Sequence, residues 1–314
     1  MSKLISIVTP CFNEKDNIDE LCERIRKTMA GLNYRYEHIF IDNCSTDGTV
    51  KKIKEIAAQD KRVKLIVNIR NFGHIKSPYH ALLQARGDAC ILIASDLQDP
   101  PEMITEFIVK WEEGFNTVLA VKPESKESPL MFFIRKAYYK LITKISEVPL
   151  VKNATGAGLF DRKVIEILRK LEDPYPYFRG LVCEVGGPIT TVPFTQPRRT
   201  RGVTKNNFFT LFDLAMLGIT NHSKVPLRLM TMAGFLISVI SFFVAVGFLI
   251  AKLIFWRSFE LGMAPLVIGL FFFCAVLTFF MGILGEYIGS IHTQMRHMPL
   301  VIEAERVNFD DELP

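Results

Sequence analysis

Over the first 122 positions, apolar residues either bunch into short runs or recur every three to four residues. The runs Leu4 to Thr9, Tyr36 to Asp42, Val63 to Asn68, Ala89 to Ser95 and Asn116 to Val121 have the length and β-rich composition of buried strands. Between them, Asp16 to Ala30, Asp47 to Ala58, Ile75 to Ala85 and Pro101 to Glu113 carry helical periodicity, and Pro101 suits a first helical turn. Strand and helix in alternation predict an α/β fold with a mostly parallel sheet. Ligands of such sheets bind beyond the carboxyl ends of the strands. The residues of interest are therefore Pro10 to Glu14, Asp42 to Thr49, Asn68 to Gly73 and Asp96 to Pro101.

A different pattern follows. From Leu229 to Ala251 there are 23 residues without a charge, and from Leu261 to Gly285 another 25, each longer than the roughly 20 needed to cross a bilayer. Both read as transmembrane helices. The stretches Leu130 to Ile145, with Arg135, Lys136, Lys140 and Lys144 at helical spacing, and Asn207 to Ile219 read as interfacial helices. The expected organisation is an α/β domain over 1–200, a basic juxtamembrane segment over 201–228, two spans within 229–285, and a C-terminal tail over 286–314 that frays at its acidic end.

Composition changes this picture little, because all 71 Lys, Arg, Asp and Glu lie outside the two spans at a density normal for a domain in water. Disorder, collagen-like repeats and a disulfide scaffold are excluded. The net charge of +5 is located in Arg198, Arg199, Arg201, Lys205, Asp213, Lys224 and Arg228. A basic stretch ahead of a span suits anionic lipid headgroups or a phosphorylated ligand, and no nucleic-acid recognition motif accompanies it. The six cysteines show no metal-binding spacing and read as reduced thiols. The start, MSKLISIVTP, has no signal-peptide h-region. The expectation is a multi-pass protein of the cell inner membrane with its α/β domain and both termini cytoplasmic. Lys and Arg near the span ends are almost evenly distributed and do not decide the orientation.

Three strand-end loops carry the candidate chemistry. Asp96 and Gln98, in SDLQDPPE, offer oxygen ligands to a hard cation bound to a diphosphate, while Asp99 before Pro-Pro-Glu reads as a helix cap. Asp42, Ser45 and Asp47, in IDNCSTDGT, and Asn13 and Glu14, in TPCFNE, follow earlier strands and can accept hydrogen bonds from a base or ribose.

In combination these loops resemble the family-2 glycosyltransferases of GT-A fold. The family pattern P-x-x-N-E, D-D-x-S-x-D, N-x-G and D-x-D is met by Pro10 to Glu14, Asp42 to Asp47, Asn71 to Gly73, and Asp96. DLQDPPE, the late basic segment RRTRGVTKNN and two C-terminal spans make the chain similar to the polyprenyl-phosphate sugar transferases, relatives of dolichol-phosphate mannose synthase. The resemblance implies a nucleotide-sugar site formed by Pro10, Asn13, Glu14, Asp42, Ser45, Asp47, Asn71 and Gly73, with Mg²⁺ or Mn²⁺ held by Asp96 and Gln98. It also implies Asp96, Arg199 and Lys205 as the catalytic set and Arg135, Arg179, Arg199 and Lys205 as phosphate or acceptor contacts. The implied reaction is inverting transfer of a sugar, from a UDP-sugar by family frequency, to undecaprenyl phosphate for modification of cell-envelope glycans.

The chain departs from the pattern at Ala94, which takes the first place of D-x-D, and at Asn43, which takes that of a second Asp. In NATGAGLFDR, Gly156 and Gly158 stand where the family segment G-D-F-R-L has Asp and Arg, so a proposed catalytic carboxylate is missing. Asp161 reads as a helix cap rather than its replacement. A polyprenyl phosphate is largely dianionic at neutral pH, with a second pKa around 6, and does not require a general base. Small residues at this segment predict a roomier sugar pocket. Two other readings compete: a polysaccharide synthase, suggested by Gln196 to Arg199, and a silent nucleotide-sugar-binding scaffold, suggested by Ala94 and Gly156. Gly234, Gly247, Gly269 and Gly282 permit helix packing in a homo-oligomer.

Overall fold

The computed structural model describes residues 3–122, 150–151, 153–195, 216, 220, 223–254, 263–295 and 298–309. Both interfacial-helix candidates fall essentially outside these residues, as do Arg135, Arg199 and Lys205.

The predicted alternation is present: β1 Leu4–Cys11, α1 Lys15–Ala30, β2 Arg35–Asp42, α2 Thr49–Gln59, β3 Val63–Asn68, α3 Gly73–Gln84, β4 Ala89–Leu92, α4 Met103–Glu112 and β5 Thr117–Val121. After it come β6 Ala154–Asp161, α5 Arg162–Leu171, α6 Phe178–Val185 and β7 Ile189–Pro193, then the long helices α7 Val225–Ile254 and α8 Met263–Met295, and β8 Glu303–Val307. One eight-stranded sheet runs in the order β7-β5-β6-β4-β1-β2-β3-β8. β1 pairs in parallel with both β2 and β4, and β2 with β3, while β6 lies antiparallel between β4 and β5.

The strands read as continuous apolar runs because both faces of the sheet are covered. Ile5, Ile7, Phe40 and Leu65 pack with Ile18, Leu21, Ile53 and Phe107 of α1, α2 and α4. Val8, Ile39, Ile41 and Phe160 pack with Tyr79, Leu82, Val164 and Leu181 of α3, α5 and α6. Each such fully buried aliphatic or aromatic side chain contributes about 2 kcal/mol. Asp161 caps α5 by accepting the Lys163 N–H at 2.9 Å, and also accepts the Trp111 indole N–H at 2.7 Å. It therefore has a structural task, as its sequence context predicts.

Helices α7 and α8 are long and apolar enough to cross a membrane by length and composition, and their apolar side chains point outward, Phe235 being 73% and Met281 70% exposed. Between Ser223 and α8, the Tyr287 hydroxyl donates to the Ser223 carbonyl at 2.6 Å.

The acidic end of the C-terminal tail lies outside the described residues, but ahead of it the tail adds a strand that the hydrophobic pattern does not predict. Residues Glu303–Val307 form β8, antiparallel to β3 at the sheet edge. Ile69 N–H donates to the Ile302 carbonyl at 3.0 Å, and Asn308 Nδ2 donates to the Ala57 and Val63 carbonyls at 2.7 and 2.8 Å. Lys54 pairs with Glu305 at 2.6 Å. The polar sequence EAERV hides this strand from a hydrophobicity scan, because its partners are charges and a sheet edge, and Val307 alone of its five residues packs against the core.

Candidate active site

Chain order reverses at β1, whose neighbours β4 and β2 lie on opposite sides of it. The crevice beyond the carboxyl ends of β1 and β4 is the topological switch point, where open α/β sheets bind ligands. Four loops meet there.

The loops after β1 and β2 are knitted together by residues expected to touch the nucleotide. Asn13, at a φ of +57°, donates its backbone N–H to Ser45 Oγ at 2.8 Å and accepts the Thr46 N–H on Oδ1 at 2.8 Å. Glu14 N–H donates to Thr49 Oγ1 at 3.0 Å and Lys15 N–H to Asp47 Oδ2 at 3.2 Å, while Thr49 N–H donates to Asp47 Oδ1 at 3.0 Å. Asp42 is fully buried and accepts the Ser45 N–H at 2.8 Å. Burial raises its pKa above the usual carboxylate value despite the hydrogen bonds it accepts from Ser45 and Cys44. Asn13, Asp42, Ser45 and Asp47 thus hold the shape of these two loops, with Pro10 at the end of β1.

Asn43 organises the third loop. Its Nδ2 donates to Asn71 Oδ1 at 2.8 Å and to the Gly73 carbonyl at 3.1 Å, and its Oδ1 accepts from Phe72 N–H at 2.8 Å and Asn68 Nδ2 at 3.2 Å. Asn71 closes its own turn by accepting the Gly73 N–H at 2.8 Å, and Gly73 adopts a φ of +87° that favours glycine. α3 starts here, with Pro78 in its interior, so no N–H at that position bonds the His74 carbonyl.

The fourth loop carries Asp96, Gln98 and Asp99. Leu97 at a φ of +57° turns the chain, and Gln98 N–H donates to Asp96 Oδ1 at 3.2 Å. Asp96 and Gln98 are half-exposed and Asp99 is buried. Asp99 is not the cap of α4: Pro100 and Pro101 hold a turn, Met103 N–H bonds the Pro100 carbonyl, and Glu102 takes the N-cap position. Instead Asp99 lines the crevice, and burial, followed by the charge of Asp96, raises its pKa to about 6.

The crevice contains a cavity of about 250 Å³ lined by Pro10, Ala94, Asp99, Gly156, Tyr177 and Arg179 among others. Arg179, expected on the acceptor side, is brought to it and is fixed by donating to the Thr155 carbonyl at 2.9 Å. His74 also lines it; burial and the neighbouring Arg179 lower its pKa. His74 and Asp99 were not legible as cavity residues. The available signals were the position of His74 next to the N-x-G turn and the two prolines that delay α4 beyond Asp99's reach.

The two glycines of β6 differ. At Gly156, φ is +104° and a Cβ would meet open space, so the cavity is wider by the side chain this position lacks. At Gly158 a Cβ would stand 2.4 Å from the Val118 carbonyl oxygen, and the pairing of β6 with β5 excludes any side chain there.

Asp96 and Gln98 offer hard oxygen donors only, which fits Mg²⁺ or Mn²⁺. Among the described residues no group of three or more His, Cys, Asp or Glu forms a complete metal site. The pair therefore fits a cation whose remaining ligands are diphosphate oxygens and water.

Comparison with known proteins identifies the family. The model of glycosyl transferase family 2 matches residues 6–167. An uncharacterized glycosyltransferase of Synechocystis is 33% identical over 302 residues, covering 96% of this chain and 95% of that one. The bactoprenol glucosyl transferase of Shigella phage SfV is 34% identical over 299 residues, covering 95% and 97%. Among solved structures, the mannosyltransferase PcManGT from Pyrobaculum calidifontis, in complex with GDP-Man and Mn²⁺, is 17% identical with a TM-score of 0.45, over 70% of this chain and 63% of that one. The chain is a glycosyltransferase with the mostly parallel sheet of the GT-A fold, and it belongs to glycosyl transferase family 2.

Proposed function

We propose that the protein transfers a sugar from a UDP-sugar to polyprenyl phosphate at the cytoplasmic face of the membrane, inverting the anomeric carbon. The product, a polyprenyl-phosphate sugar, would serve modification of cell-envelope glycans. One observation carries the reading: similarity to a bactoprenol glucosyl transferase extends over 95% of this chain, through both apolar helices as well as the sheet. An isoprenoid acceptor stays in the bilayer, and a catalytic domain tethered by two spans meets its phosphate at headgroup level.

The acceptor phosphate is its own nucleophile, being largely dianionic above its second pKa of about 6. That accounts for a functional site with glycine at position 156. Arg179, fixed on the Thr155 carbonyl, directs positive charge into the crevice where an anionic acceptor would enter. Arg135, Arg199 and Lys205, outside the described residues, are proposed to grip donor or acceptor phosphates. Asp96 and Gln98 would hold Mg²⁺ or Mn²⁺, which supplies positive charge to the departing diphosphate when bound. The donor loops shaped by Asn13, Asp42, Ser45 and Asp47 present the nucleotide, with Glu14 beside them. Catalysis then rests on orientation of phosphate against the anomeric carbon and on charge placed in advance.

The test is release of nucleoside diphosphate by detergent-purified protein, scanning nucleotide sugars with Mn²⁺ or Mg²⁺, with and without undecaprenyl phosphate. Release that depends on the lipid, with a lipid-phosphate sugar identified by mass, is the expected result. Asp96→Ala should lower it by at least 100-fold together with metal-dependent donor binding. Near-normal turnover in that variant would remove the metal assignment, and lipid-independent release would remove the acceptor.

A further inference from the structure

The proposed donor and acceptor contacts leave one buried carboxylate of the crevice without a task. Asp99 is 8% exposed and lines the cavity with Thr155, Gly156, Tyr177 and Arg179. A carboxylate has about four acceptor positions, and Asp99 accepts a backbone hydrogen bond from Ala94. Capacity remains for donors from a ligand.

The surroundings limit what that ligand is. At about 250 Å³ the cavity is smaller than the roughly 300–1,000 Å³ of ordinary small-molecule sites, so it holds a sugar ring but not a nucleotide. Its walls are largely apolar, with Ile75, Leu82, Tyr177 and Phe178 among them. Polar recognition therefore falls to few groups. Gly156, on the wall supplied by β6, presents no side chain to it, and among the described lining residues Asp99 is the single carboxylate. Position 94, at the end of β4, is alanine and also lines the cavity, so no carboxylate enters from there either.

Building on the transfer reaction above, we propose that Asp99 contacts the transferred sugar, accepting hydrogen bonds from its hydroxyl groups in the space that Gly156 leaves open. Asp96 and Gln98 would then serve the diphosphate and Asp99 the sugar, from one loop turned at Leu97.

Binding separates these roles without recourse to turnover. Full-length protein in detergent is titrated with UDP, UDP-glucose and UDP-N-acetylglucosamine in the presence of Mn²⁺, as wild type, Asp99→Asn and Asp99→Ser. Both variants should bind UDP within about twofold of wild type, while affinity for the nucleotide sugar relative to UDP falls about tenfold or more, as for loss of a hydrogen bond to a charged group. An unchanged ratio in both variants overturns the assignment. So does loss of UDP binding in both, which would place Asp99 with the diphosphate or the fold. Wild-type protein that binds none of the three overturns the donor reading itself, and this is seen before any variant is compared.

Discussion

Asn43 stands where the family pattern has a second carboxylate, and its neighbours show why an amide serves here. The two bonds from Nδ2, to Asn71 Oδ1 and the Gly73 carbonyl, need a donor, and the residue is 7% exposed. Asn43→Asp, although it restores the family residue, would set a carboxylate against two acceptors. Reorientation of Asn71 would relieve one contact but forfeit the Gly73 N–H bond. We expect the variant to be less stable by about 1–3 kcal/mol, the cost of leaving buried polar groups unsatisfied. Thermal melting in detergent checks this, and an unchanged or higher midpoint would show that the loop does not depend on the amide. At this scale the sequence is legible where chemistry is local. Asp96 and Gln98 follow a strand, and Asp161 precedes a helix. The partners of Asn43 lie 25 to 30 residues away, and Asp99 sits in a cap-like sequence whose two prolines displace the helix start, so neither role shows in local pattern.

The first five strands and four helices are legible because burial on both sheet faces imposes long apolar runs and amphipathic periods. The later elements escape for separate reasons. β6 is ATGAGLFD, its glycines set by the crevice and by the close approach of β5. β8 is polar and owes its conformation to β3 and to a charge cluster. In that cluster Glu303 hydrogen-bonds His80 at 2.6 Å and accepts from Arg306, which also donates to Gln84 Oε1 at 2.9 Å. Burial alone would raise the pKa of Glu303, but the bonds from His80 and Arg306 outweigh it and hold it at about 2. A depressed folded-state value means that the contribution to docking is complete above the unfolded pKa near 4.5 and is lost as pH falls toward 2. Amide protection of Glu303–Val307 should be constant from neutral pH to about 4.5 and then decline, ahead of the core strands. Glu303→Gln should lower that protection at neutral pH. Equal protection in the variant at pH 7 would show that strand pairing alone holds β8.

At the scale of the whole molecule, β8 constrains how the chain meets a membrane. It begins eight residues after α8 ends and pairs with β3 of the catalytic sheet, so the tail and the sheet must occupy the same side. Two crossings, through α7 and α8, satisfy that requirement; one crossing cannot. The charge count near the candidate spans is almost even and does not decide the orientation, whereas pairing of β8 with β3 requires an even number of crossings for any membrane arrangement of this chain. It also gives the tether two ends, because the sheet is joined to the helices both before α7 and after α8. In the proposed membrane arrangement such a tether would restrain the crevice relative to the headgroup layer more than a single anchor does, as the proposed lipid-phosphate acceptor requires. Green fluorescent protein fused to either terminus should fluoresce in bacterial cells, and alkaline phosphatase fused after Ser258, between the helices, should be active. A dark C-terminal fusion beside a fluorescent N-terminal one, in full-length protein that reaches the membrane, would mean that the tail lies on the far side. β8 could then not pair with β3, and the two-ended tether would be lost along with the orientation proposed for the active site.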